Sequence, residues 1–107
     1  MTVIWSKFAE SQLDDIFFYY SQKVNSEFAL KIITELIKAP EKLMQTPHMG
    51  QVEELLTGRL IKYRYLICNN YKIIYSVDEE KNAIRISDVF DTRQNPSKIE
   101  RSGSANL

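Results

Sequence analysis

The side chains of this 107-residue chain that are suited to chemistry are mostly basic. Lys62, Arg64, Lys72 and Arg85 fall on three stretches that read as consecutive strands, and Arg93 follows the last of them. Lys62 and Arg64 are two residues apart, which on a strand turns them to the same face. From Arg59 to Val77 there are four basic residues and no acid, with Tyr63, Tyr65, Tyr71 and Tyr75 among them. A basic sheet with aromatics nearby suits RNA, through phosphate contacts and base stacking. In the competing reading the tyrosines are core beneath the helices and the cations only solvate the outer face. Glu53, next to Glu54, is a candidate general base, although adjacent acids at a strand or loop edge are commonly just solvated. Arg93 carries a permanent charge and five donors in a fixed fork. It either makes a weak exposed pair with Asp91 or Asp88, or it contacts a target.

Other chemistries lack their residues. The single histidine, His48, sits in a loop beside Pro47, and with one cysteine it cannot supply the three or four ligands of a zinc site. Gly50, Gly58 and Gly103 are too far apart for a phosphate-cradling loop. No metal, cofactor or small-molecule substrate is therefore expected. A chain this short buries roughly two-thirds of its unfolded surface, which leaves little room for a deep cleft. Cys68 lies in an apolar run and reads as an inert buried thiol in a reducing compartment. The opening Met1-Thr2-Val3-Ile4-Trp5 has no basic start, and no stretch reaches the ~20 apolar residues of a membrane span. A cytoplasmic location without a membrane partner is expected. The net charge is zero, but residues 1–58 have five lysines against eight acids, while residues 59–107 have nine basic residues against six acids. That asymmetry is suited to a single binding face.

These residues must be positioned by a small set of elements. Thr2–Trp5 is β-branched and aromatic and predicts a strand. Ser6 is a natural N-cap, and Ala9, Leu13, Ile16, Phe17 and Tyr20 form one face of a helix ending near Lys23. Asn25-Ser26 caps a second helix, with Ala29, Ile32, Ile33, Leu36 and Ile37 as its apolar face. Pro40 stops it and opens a short turn through Leu43. Two helices so closely linked predict a hairpin. Residues 60–67 alternate, with Ile61, Tyr63, Tyr65 and Ile67 on one face. Asn69-Asn70 suits a tight turn. Residues 71–77 form the next strand, with Tyr71, Ile73, Tyr75 and Val77 on one side, and residues 83–90 the last. Ile84 and Ile86 would be followed on their face by Asp88, which predicts a bulge or strand end near Ser87. The fold class is α+β, in the order β-α-α-β-β-β, with the helical hairpin packed on an antiparallel sheet. Residues 1–98 are expected as one domain and residues 99–107 as a flexible tail.

The layout resembles the RelE/ParE toxin superfamily, and more closely its ParE branch. The resemblance rests on Trp5-Ser6 followed by Ala9, Leu13, Ile16 and Tyr20. It continues through Leu43, Pro47 and Gly50, the hairpin from Tyr63-Arg64-Tyr65 to Tyr71-Lys72-Ile73, and the ending Asp91-Thr92-Arg93-Gln94-Asn95-Pro96. It implies the toxin of a type II toxin–antitoxin, plasmid-stabilisation module, neutralised by a cognate antitoxin. ParE-like members poison DNA gyrase and are not known as nucleases in their own right. RelE-like members are endoribonucleases that cut mRNA on the ribosome, and in that alternative the catalytic set would be Glu53, Lys72 and Arg93. The acid of mRNA-cleaving relatives would fall near Thr92 and Arg93, neither of which is a good proton donor. The neutral overall charge is also low for a ribosome binder. Both departures favour gyrase. A third alternative is an inactive remnant that only binds antitoxin. For a toxin, the target-binding candidates are Lys62, Arg64, Lys72, Arg85 and Arg93.

Overall fold

The computed structural model describes residues 1–104. Strand β1 (Thr2–Trp5) leads into α1 (Lys7–Lys23) and α2 (Ser26–Lys38). Ser6 caps α1 by accepting from the Ala9 N–H at 3.0 Å, and Asn25 caps α2 by accepting from the Phe28 N–H at 2.8 Å. Each satisfies a backbone donor that the helix itself leaves open. Pro40 lies in the first turn of a 3-10 helix, Ala39–Met44, that ends the hairpin. Then follow β2 (Gln51–Val52), a 3-10 turn (Glu54–Leu56), β3 (Arg64–Cys68), β4 (Tyr71–Asp78) and β5 (Ala83–Asp91). A 3-10 turn (Pro96–Ile99) and the short α3 (Glu100–Ser104) follow.

The five strands form one sheet in the order β1-β5-β4-β3-β2. The fold is α+β, and it differs from the expected antiparallel sheet in two places. β1 pairs in parallel with β5, Thr2 opposite Ala83 through Trp5 opposite Ile86. The two-residue β2 adds an edge beside β3. Asn69 takes φ 55° in the tight turn between β3 and β4. The bulge lies at Ser87: Ile74 faces Asp88 and Tyr75 faces Ile86, so Ser87 is the extra residue of β5. Its effect is to keep Ile84 and Ile86 toward the helices while turning Asp88 to the opposite face.

The helices cover one face. Ala9, Leu13, Ile16, Leu36 and Leu43 pack on Leu66, Tyr71, Ile73, Tyr75, Ile84, Ile86 and Val89. Phe17 and Ile37 lie at the edge of their helical stripes and stay exposed. Tyr71 and Tyr75 are core on this side, as the competing reading had it. The Tyr75 hydroxyl donates to the Pro47 carbonyl at 2.9 Å and accepts from the Gly50 N–H at 2.9 Å, which pins the loop before β2. A Cβ at Gly50 would stand 2.4 Å from that hydroxyl, so the position has room only for glycine.

The other face carries a smaller core of Leu56, Tyr63, Ile74, Phe90 and Ile99. Here the flexible tail expected from residue 99 is not what the structure shows as far as residue 104. Ile99 is fully buried, and Glu100–Ser104 is helical. The reason is Asp88, which is fully buried and needs partners. Arg101 gives it two hydrogen bonds, of 3.0 and 3.2 Å, and the Ser102 hydroxyl donates to it at 2.6 Å. The Arg101 guanidinium also lies over the rings of Phe8 and Phe90. Residues 105–107 lie outside the described residues. Among the described residues, no helix is long and apolar enough to cross a membrane.

Candidate functional site

Glu53 follows the short β2. Its backbone N–H donates to the Tyr63 carbonyl at 2.9 Å, and its carboxylate accepts from the Leu55 N–H at 3.3 Å. Only 3 % of it is exposed, so the expectation of a solvated acid fails for this residue. Lys72 explains why. It stands on β4, on the face away from the helices, and its Nζ donates to Glu53 Oε2 at 2.7 Å. The same ammonium lies 4.3 Å from the centre of the Tyr65 ring, a favourable place for a cation. Removing either partner would leave a charge stranded in a poorly solvated site. Two sequence candidates are thus in direct contact, but each is occupied by the other.

Arg93 lies at the far end of β5. Its Nε and Nη2 grip Asp91 at 3.0 and 2.8 Å, and its backbone N–H adds a third bond at 2.9 Å. Asn70 donates a fourth at 3.2 Å. The Arg93 side-chain bond above all, opposed by partial burial, holds the Asp91 carboxyl below its ordinary range. The same bond pushes the guanidinium pKa further up. Thr92 ties this turn to the β3–β4 turn by donating its N–H and hydroxyl to the Asn70 carbonyl at 2.9 and 2.7 Å. Ile16, Tyr71 and Val89, with Gln12, Asp15 and Arg93, line a cavity of about 330 Å³ between α1 and the end of β5. Tyr71 shares a 3.5 Å hydroxyl contact with Tyr20. Burial first, and that contact second, raise the Tyr71 pKa, so the hydroxyl keeps its proton. The sequence reading had passed over Tyr20 and Tyr71 as partners of this turn, since both look like ordinary core aromatics.

The remaining cations do not gather into a basic sheet. Residues 60–63 lie outside β3, so Lys62 and Arg64 do not share a strand. Lys62 is exposed. Arg64 lies opposite Tyr75, on the helix side, and its Nη1 donates to the carbonyls of His48 and Gly50 at 3.2 and 2.9 Å. Arg85 shares a face with Lys72 but lies opposite Ser76, four residues along β4 and so roughly 13 Å away. It pairs with Asp78 at 3.1 Å. Asp78 is itself held below its ordinary pKa, by the Lys81 N–H first and by Arg85 next. Of the candidate set, the structure brings together only Glu53 and Lys72. Arg93 lies across the sheet from them, on the helix side.

Residues 3–96 match the family described as the ParE toxin of the type II toxin–antitoxin system, parDE. The chain belongs to this ParE toxin family. A solved structure described as the chromosomal ParDE toxin–antitoxin system from P. aeruginosa has a chain of the same fold. It superposes with a TM-score of 0.70 at 20 % identity, over 85 % of this chain and 95 % of that one. No curated protein matches the sequence. The ParE match includes Arg93 and stops before Ile99 and Arg101, so the residues that close the smaller core lie beyond it.

Proposed function

We propose that this ParE-family toxin poisons DNA gyrase and is neutralised by a cognate antitoxin. One observation carries the choice of gyrase over mRNA: the residues that an RNase would need do not converge. Cleavage through a 2′-hydroxyl needs a base, a cation and an acid around one phosphodiester. Glu53 and Lys72 are bound to each other on one face of the sheet, and Arg93 is bound to Asp91 on the other side. Membership of a toxin–antitoxin family supports the antitoxin partner.

Arg93 is the residue we assign to the target. Asp91 uses two of its donors and, with the Tyr20 hydroxyl nearby, fixes the plane of the guanidinium at the wall of the cavity. Arg93→Ala is expected to abolish growth arrest after induction without loss of fold or antitoxin binding, and Arg93→Lys to restore it only in part. Purified toxin should inhibit gyrase supercoiling, and induced cells should mount a DNA-damage response before translation falls. A fully toxic, well-folded Arg93→Ala protein would overturn the assignment. A ribosome-dependent endoribonuclease is the second reading; it would need Glu53 and Lys72 to part from each other and to act without Arg93. Translation arrest with mRNA cut within codons, lost in Lys72→Ala, would establish that reading instead.

A further inference from the structure

Between β2 and β3 the chain makes a loop, residues 57–63, whose tip is apolar and bare. Leu60 is 107 % exposed and Ile61 38 %. Gly58 turns the loop at φ +85°, with nothing within 4 Å of where a Cβ would stand. Beside the tip is a concavity of about 380 Å³ lined by His48, Leu60, Ile61, Lys62, Arg64 and Val77. Three of these are aliphatic and three carry basic nitrogen. No acid is among them; Glu79 stands at the rim, 3.3 Å from His48 Nε2. Among the described residues Lys62 has neither an ion pair nor a side-chain hydrogen bond. The bonds of Arg64 to two carbonyls hold its guanidinium in place at the wall.

We propose that this concavity docks an acidic segment of a protein partner that also carries an apolar side chain. The apolar group packs on Leu60, Ile61 and Val77, and a carboxylate is taken by Lys62 and Arg64. Charge complementarity points this way, because Lys62 and Arg64 line the concavity and no acid does, the acids Asp78, Glu79 and Glu80 lying in the neighbouring concavity beyond Ile61 and Val77. A nucleic acid fits less well. The other two strand cations, Lys72 and Arg85, are already paired with Glu53 and Asp78. A duplex gripped by two or three cations is held weakly and released by modest salt, and phosphate offers nothing to a bare leucine. None of the lining residues belongs to the Arg93 cavity, so the proposal stands apart from the gyrase reading.

The test is a titration of the isotope-labelled full chain, followed by amide NMR. The probes are the peptide Asp-Leu-Glu-Phe-Asp, the same peptide with serine in place of Leu and Phe, and a short DNA duplex. The expected result is shifts confined to residues 48, 60–64 and 77 with the first peptide. Binding should weaken about tenfold or more, a loss of roughly 1.4 kcal/mol, in Lys62→Glu and equally in Leu60→Ser, with unchanged melts because both side chains are exposed. Equal binding of the serine peptide, shifts elsewhere, or no shifts overturn the proposal. DNA binding that Lys62→Glu removes and Leu60→Ser spares would replace it with a nucleic-acid surface.

Discussion

The two faces of the sheet are covered by different parts of the chain and held by different forces. On the helix side, α1 and α2 lay aliphatic side chains on aliphatic and tyrosine side chains, and the polar contacts sit at the margins. On the other side, a handful of residues after β5 close a small core around a buried aspartate. The first arrangement is non-directional and tolerates change in proportion to the area lost. The second depends on a charge that has water on one side of the folding reaction and only Arg101 and Ser102 on the other. The lesson is that the smaller cover is the more fragile per residue, although it buries less.

The harshest way to break this comparison is to end the chain at Lys98. That uncovers Leu56, Tyr63, Ile74 and Phe90 and leaves Asp88 without Arg101 and Ser102. The expected loss is on the order of 5 kcal/mol, a large part of what a domain of this size has. Chemical denaturation would measure it, and a truncated chain as stable as the full one would show the second cover to be dispensable. Next comes Leu36→Ala on the helix side, at a fully buried position. It should cost about 2–5 kcal/mol with the secondary structure retained, read as a lower melting temperature by circular dichroism. Tyr75→Phe is milder, about 1–3 kcal/mol, since it removes only the hydroxyl that joins Pro47 and Gly50. Faster amide exchange at Gly50 would identify the cause.

The smallest effect concerns the Arg93–Asp91 pair, and it has a pH sign. Asp91 titrates lower in the folded chain than a free carboxyl, which titrates near about 3.9. Its stabilisation is therefore present above about pH 4 and disappears as pH falls through the lower folded value. Arg93 is 59 % exposed, so the contribution is at most ~1 kcal/mol. The difference in melting temperature between the native chain and Arg93→Ala should be small at pH 7 and close in acid. A gap that widened in acid would show that the pair is not what separates the two proteins.

Much of the helix side could be read from the sequence because its signals are local. Ser6, Asn25 and Pro40 punctuate the hairpin, and the displaced Asp88 announced the bulge at Ser87. The Asp91–Arg93 pair spans two residues and was equally visible. What escaped depends on distant partners. Glu53 is buried with Lys72 reaching it from another strand, and residues 99–102 are held by the burial of Ile99 in the smaller core and by the bonds of Arg101 and Ser102 to Asp88. Alternation along residues 60–67 suggested a longer strand, yet β3 starts at Arg64. Neither the parallel β1–β5 pairing nor the two-residue β2 has a periodicity to betray it.

That parallel pairing also bears on how the toxin comes into being. The first strand made, Thr2–Trp5, has its ladder partner at Ala83–Ile86, near the end of the chain. Synthesis proceeds from the N-terminus at about 5–20 residues per second, so for several seconds β1 has no strand to join. The hairpin can form early, but the sheet beneath it cannot close until the turn bearing Arg93 is about to appear. A chain interrupted before Ala83–Ile86 has been made therefore yields no finished sheet, however early its helical hairpin forms.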